Sequence, residues 1–307
     1  MTLIAIDVGG TGVKCALVDP ADFTVRHTER HPTHAERGPD AVVDHILDIA
    51  TGLAARATQR GTPAQAAGVV VPGIIDETRG VAVYSANLGW REVPLAALLA
   101  RRLGLPTRLG HDVRAGGLAE AEFGAGRGVT QSLFVPIGTG IAAAHVVAGR
   151  AFAGAHGAAC ELGHVVVRPQ GRPCGCGRRG CLEAEASAKA VATRYTERTG
   201  DTATAAEVAA RAAAGEPAAT AVWHQTIDAL ADGLLTAITL FDPERIVLGG
   251  GLAEAGDHLL APLGEAIQAR RTFETVPSLV RAALGDQAGC LGAALLASTV
   301  IREGARS

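Results

Sequence analysis

The chain reads as an α/β protein of two lobes, and three observations predict this. Short apolar runs suited to buried strands alternate with longer helical patterns along its 307 residues. Several of those runs end in glycine-rich turns. The opening pattern also recurs: Leu3–Ile6, the turn Gly9-Gly10-Thr11-Gly12 and Val13–Val18 are echoed by Leu133–Ile137, the turn Gly138-Thr139-Gly140 and Ile141–Val147. An echo of this kind suggests a duplicated architecture.

Leu3–Val8 is apolar and closes on Gly9-Gly10, which predicts a buried strand and a tight turn into a second strand, Val13–Val18. Pro39-Asp40 opens a helix whose Val42, Ile46, Ile49 and Leu53 share one face. Ala67–Val71 is a further strand closed by Pro72-Gly73, and Leu95–Leu103 a short helix. Thr107–Gly110 should be a strand that delivers His111-Asp112 at its carboxyl end, with a helix from Arg114 to Glu122. Beyond the second turn, Ala-rich helices run from about Ala184 to Phe241, where Asp242-Pro243 breaks the last. Arg245–Leu248 is a strand ending in Gly249-Gly250-Gly251, a helix follows from about Ala253, and Ala288–Ile301 forms a final helix. The expected division is residues 1–112 with 289–307 in a small lobe and 113–288 in a large one. A glycine turn in each lobe implies a cleft between them, and ligands of such folds sit at the carboxyl ends of strands.

Composition excludes several classes. Hydrophobic content of 48 % and charged content of 19 % are ordinary for a globular protein. A net charge of -3 and a pI near 6.4 argue against a nucleic-acid partner. No leader peptide and no apolar run long enough to span a membrane are evident, so a cytoplasmic location is expected. Cys15, Cys160 and Cys290 lie scattered in apolar stretches as buried thiols, unlike a secreted disulfide framework.

The other three cysteines carry chemistry. Glu161-Leu-Gly-His164 is followed by Cys174-Gly-Cys176-Gly-Arg-Arg-Gly-Cys181-Leu-Glu183. One His and three Cys suit a closed tetrahedral Zn2+ site, and the glycines let the backbone fold tightly around the ion. Such a metal would be structural, ordering the loop that carries the flanking carboxylates. Glu161 and Glu183 are either acceptors for ligand hydroxyls or solvated surface carboxylates.

Asp7-Val-Gly9-Gly10-Thr11 sets a carboxylate at a strand end, then glycines, then a hydroxyl. Glycines let main-chain N–H groups approach phosphate oxygens, and Asp7 can orient Mg2+ or its water. The alternative is an ordinary hairpin turn, for this turn and for Gly138-Thr139-Gly140 alike. Gly249-Gly250-Gly251 either leaves room for a flat base or serves close packing at a helix start. Asp112 is either a base for a substrate hydroxyl or a helix N-cap, and Asn87, before Leu88-Gly89-Trp90, reads locally as a turn residue.

Together these motifs resemble the ROK family of bacterial sugar kinases and sugar-responsive repressors, over nearly the whole chain. The resemblance implies an actin-like ATPase (ribonuclease H-like) fold, two lobes around a central cleft, and an ATP-dependent, glucokinase-like phosphoryl transfer to the 6-hydroxyl of a hexose. It implies Asp112 as the catalytic base and Gly73, Asn87, His111, Glu161, His164 and Glu183 as sugar contacts. Asp7, Gly9, Gly10, Thr11, Gly138, Thr139, Gly140, Gly249, Gly250 and Gly251 fall on the nucleotide and Mg2+ side. His164, Cys174, Cys176 and Cys181 hold zinc, and a homodimer is the family habit. A catalytically silent or regulatory member is the alternative; the repressors carry an N-terminal helix-turn-helix, for which no room is expected before Leu3. The chain departs from the family pattern at His111, where Asn is usual, which leaves the identity of the hexose open. Lys14 stands two places later than the family's lysine, and polyphosphate is an alternative donor.

Overall fold

A computed structural model describes residues 1–304. The chain divides into two compact units, one made of residues 1–119, 151–159 and the segment from Asp286 on, the other of residues 120–150 and 160–285.

The first unit opens with Thr2–Val8 (β1), Gly12–Val18 (β2) and Val25–Pro32 (β3), then the helix Pro39–Gln59 (α1) and the strand Ala64–Val71 (β4). Three short strands follow, Ile74–Asp76 (β5), Val81–Ser85 (β6) and Trp90–Val93 (β7), then Leu95–Leu103 (α2) and Thr107–His111 (β8). The main sheet has the order β3-β2-β1-β4-β8, with β1 antiparallel to β2 and parallel to β4. β1 is apolar and buried along its length except at Asp7, as expected of a strand covered on both faces. The helix Asp112–Phe123 (α3) leads into the second unit.

There the chain forms Gln131–Pro136 (β9), Ala144–Val147 (β10) and Arg150–Ala151 (β11), then the helices Leu182–Ala186 (α4), Ala188–Thr199 (α5), Ala205–Ala213 (α6) and Pro217–Phe241 (α7). Arg245–Gly249 (β12), Gly250–Ala253 (α8), Asp257–Arg270 (α9) and Ser278–Arg281 (β13) complete it. Its sheet runs β11-β10-β9-β12-β13, with β9 antiparallel to β10 and parallel to β12. Both sheets therefore share one strand order, a hairpin continued by parallel strands, and the echo in the sequence marks the first hairpin of each. α7 fills this unit's core with Leu230, Leu234 and Ile238, beside Leu133 and Ile246 of the sheet.

The last helix, Ala288–Gly304 (α10), returns to the first unit and lies on β1, β4 and β8. The approach is backbone to backbone. A Cβ on Gly68 of β4 would fall 1.9 Å from the Ala293 carbonyl oxygen, and one on Gly292 would fall 2.2 Å from that of Ala115. Only glycine fits at these two points.

Two local expectations need correction. The strand after the second glycine turn begins at Ala144 rather than Ile141, which makes only an isolated bridge to Ile137. The helix after Gly249 starts at Gly250, stops at Ala253, and resumes as α9 at Asp257, because Gly256 takes a positive φ of 56°.

Candidate functional site

In the first unit, His111 ends β8 and Asp112 begins α3. The capping role falls to His111 and not to Asp112: the His111 Nδ1 accepts the Arg114 N–H at 3.3 Å, three residues on. The Asp112 Oδ1 accepts only from the adjacent Val113 N–H, at 2.7 Å. Burial pushes the Asp112 carboxyl up to about 6, against the lowering effects of that N–H and of the Arg114 guanidinium. Asp7 is also pushed up to about 6, by burial first and by the Asp112 charge second. Two buried carboxyls with raised proton affinity, one near the end of β1 and one just after β8 in the same sheet, form an electrostatic arrangement typical of functional sites.

The first glycine turn is tied down locally. Thr33 Oγ1 donates to the Gly9 carbonyl at 2.6 Å, and Gly9 N–H donates to the Gly12 carbonyl at 2.8 Å. Asn87 crosses over this turn, so close that a Cβ on Gly10 would lie 3.4 Å from its own Cβ. Thr11 and Asn87 are exposed. Gly73 has a φ of 119° and sits against the Tyr84 carbonyl, 2.2 Å from where its Cβ would be. Lys14 lies opposite Asp7 in the β1–β2 register, lowers that carboxyl, and pairs with Asp286 at 3.1 Å.

In the second unit, Glu183 closes over the other turn. Its Oε2 accepts the Ile141 N–H at 3.0 Å, and a Cβ on Gly140 would fall 2.5 Å from the same oxygen. Gly163, in the helical turn Leu162–His164 that follows Glu161, packs on the Ile141 carbonyl, 2.0 Å from its would-be Cβ. Glu161, Glu183 and the second turn are therefore neighbours, while Thr139 stays exposed.

His164, Cys174, Cys176 and Cys181 bring one ligand atom each within 4.8 Å of one another. The Cys174 Sγ lies 3.6 Å from His164 Nδ1, and the Cys176 Sγ lies 3.7 Å from that of Cys181. A tetrahedral ion with bonds of about 2.3 Å to sulfur and about 2.0 Å to nitrogen sets S···S near 3.75 Å and S···N near 3.5 Å. The donor set and its spacing thus fit a zinc-sized cation. The loop depends on glycine: at Gly180, with a φ of 68°, a Cβ would fall 1.4 Å from the Arg168 carbonyl oxygen. Burial pushes the Cys181 thiol up to about 12, and a bound cation would offset that.

The three consecutive glycines divide. A Cβ on Gly249 would meet the Phe134 ring at 2.9 Å, and Gly250 has a φ of 75° against the Ile137 carbonyl, so both serve close packing. Gly251 faces open space and, with Leu252, Ala206, Ala209, Ala213 and His258, lines a cavity of about 400 Å³. A larger, shallower groove of about 680 Å³ beside Thr193, Thr196 and Glu207 contains no candidate residue.

Residues 3–300 match the model of the ROK family. The chain belongs to the ROK family. It is 34 % identical to a glucokinase of Thermotoga maritima, over 96 % of both chains, and 34 % identical to an N-acetylmannosamine kinase of Citrobacter koseri, over 97 % and 99 %. Among solved structures it is similar to a ROK glucokinase from Streptomyces griseus in complex with glucose and AMPPNP, with a TM-score of 0.83 and 27 % identity over 97 % of this chain and all of the other. The actin-like fold expected of a ROK protein is thereby shown. Two polar side chains of this ROK chain had no sequence signal: Arg114 and Glu77, which form an ion pair at 2.8 Å beside His111-Asp112. Their separation of 37 positions hides them from any local pattern.

Proposed function

We propose that this ROK protein is an ATP-dependent hexose kinase that phosphorylates the 6-hydroxyl of glucose or a related sugar. The observation that carries the reading is Asp112, a carboxylate at a strand end whose burial raises its proton affinity to about 6 and whose one described hydrogen bond leaves an oxygen available. Such a group accepts the proton of the 6-hydroxyl as that oxygen attacks the γ-phosphorus; the bond to the β-phosphate breaks and ADP leaves. Gly73, Asn87, His111, Glu161, His164 and Glu183 form the sugar side, holding the hydroxyls so that the attacking oxygen is aligned.

Asp7, Gly9, Gly10, Thr11, Gly138, Thr139 and Gly140 form the phosphate side. The cavity beside Gly251, walled by the alanines of α6, accepts the adenine ring; Gly249 and Gly250 act there only through packing. Mg2+ bound with ATP would neutralise phosphate charge, and Asp7 is the residue to orient it. Zinc at His164, Cys174, Cys176 and Cys181 would order the loop between Glu161 and Glu183. A homodimer in the cytoplasm completes the reading; among the described residues no helix is long and apolar enough to cross a membrane.

The test is a coupled ADP-release assay with glucose, mannose, fructose, glucosamine, N-acetylglucosamine and N-acetylmannosamine, beside Asp112→Asn. Turnover with one sugar, lost in the variant, is the expected result. Full activity of Asp112→Asn would overturn the base assignment.

A further inference from the structure

We propose that Arg114, anchored by Glu77, is a positioning residue that fixes His111 as its Nε2–H tautomer, so that the place next to the base offers the sugar a hydrogen-bond donor and no acceptor. The effect on the sugar rests on the kinase reading above; the tautomer itself does not.

The Arg114 guanidinium is buried, with 4 % of the residue exposed. Its Nε–H and Nη2–H donate to Glu77 Oε1 at 3.0 and 2.8 Å, and its Nη1–H donates to the Gly157 carbonyl at 3.0 Å. The same Glu77 oxygen accepts the His111 N–H at 3.4 Å. One carboxylate oxygen and one guanidinium thus tie together the end of β8, the first turn of α3, the turn after β5 and the segment around Gly157. Within that frame the Arg114 main-chain N–H points at His111 Nδ1. A backbone N–H can only donate, so Nδ1 must keep its lone pair and the ring proton sits on Nε2.

The rival tautomer has a partner in reach, because Nδ1 is also 3.4 Å from Asp112 Oδ1. It would set two donors, the Nδ1–H and the Arg114 N–H, against each other. Doubly protonated imidazole is opposed by burial and by the Arg114 charge, against a smaller pull from Glu77, and together these push His111 down to about 3. The charged groups around this turn are Asp7 from β1, Glu77 after β5, and Asp112 and Arg114 from α3. Among the described residues the Nε2 has no partner and is not enclosed, which leaves it for a ligand.

A donor can be distinguished from an acceptor by paired sugar analogues. Replacing a hydroxyl by fluorine keeps a weak acceptor and removes the donor; replacing it by hydrogen removes both. We would measure kcat/KM for deoxy and deoxyfluoro analogues of the accepted sugar at each non-reacting carbon. The proteins are wild type, Arg114→Met, Arg114→Lys and Glu77→Gln, with nitrogen NMR of the His111 ring assigned by comparison with His111→Asn. In wild type, the ring shows a bare Nδ1 and a protonated Nε2, and at one carbon the fluoro sugar exceeds the deoxy sugar by at least about threefold, the worth of a weak neutral hydrogen bond. That ratio falls to about one in Arg114→Met, and Arg114→Lys, which keeps the charge but not the fork, does not restore it. Glu77→Gln, a milder change, serves if Arg114→Met does not fold. A wild-type ring protonated at Nδ1 overturns the proposal without any variant. So does an Arg114→Met enzyme with a lower melting temperature but an unchanged tautomer and ratio, which would make Arg114 merely structural. An active Asp112→Asn enzyme, by contrast, would sink the base assignment while the NMR result stands.

Discussion

Replacing Asp112 by Asn is expected to make this protein more stable and inactive at once. The carboxyl is held at about 6 against 3.8 in an unfolded chain, chiefly because burial opposes its charge. The folded state then binds the proton more tightly than the unfolded state does. Stability therefore falls as pH rises from about 4 to about 6, and the loss persists at higher pH. Taken at face value the shift is worth about 3 kcal/mol. The side chain keeps 27 % of its surface in contact with solvent, so the working figure is about 1–2 kcal/mol. Asn carries no charge to bury, and its amide oxygen can still accept the Val113 N–H. At pH 8 the variant should melt roughly 2–3 °C above wild type, with the gap closing by pH 4. Phosphoryl transfer should fall by about 10²–10⁴-fold, the usual worth of a general base. Thermal melts of both proteins from pH 4 to 8, beside ADP release, make the check. A gap that does not change with pH, or a less stable variant at pH 8, would refute the burial reasoning.

Cys181→Ser removes one of four ligands, so metal analysis of the purified variant should find well under one zinc per chain, and limited proteolysis should cut within residues 168–181; retention of stoichiometric zinc would count against the site. Gly140→Ala places a methyl 2.5 Å from Glu183 Oε2; the Glu183 bond to Ile141 N–H should break, and kcat/KM should fall by at least about tenfold, as one lost hydrogen bond to a charged group would give. Gly68→Ala meets a backbone carbonyl at 1.9 Å that cannot turn aside; a loss of about 3 kcal/mol or more is expected in denaturant unfolding, and near-native stability would mean that α10 does not lie where it is described.

The strands β1, β2, β4, β9 and β12 were legible because each carries a mainly apolar, buried stretch. β3 was not: its less exposed positions are Val25, His27, Glu29 and His31, where Glu29 pairs with Arg56 of α1 and with both histidines, so no apolar alternation is left to read. β5 to β7 are too short for any period to show. At the site, Cys spacing and ligand chemistry announced the cluster of His164, Cys174, Cys176 and Cys181, because a tetrahedral ion would tolerate few arrangements. The glycine triplet was harder. Gly249 and Gly250 are small because Phe134 and Ile137 press on them, whereas Gly251 faces a cavity, and nothing local separates the two causes. The helix cap shows the same limit: Asp is the commoner capping residue, but the end of β8 sets His111 one place earlier, in position to reach the Arg114 N–H.

The place of α10 bears on how the chain is made. Leu3, Ala5 and Val70 are covered by Ala293, Ala294 and Ala297 near the far end of the sequence. On a ribosome adding about 5–20 residues per second, the first sheet emerges early and then waits roughly 10–30 s for its last helix. During that interval one of its faces is bare, because α10 follows the whole of the second unit in the sequence. The nascent chain is thus most vulnerable to aggregation before α10 emerges, and chaperone demand should fall once that helix covers the first sheet.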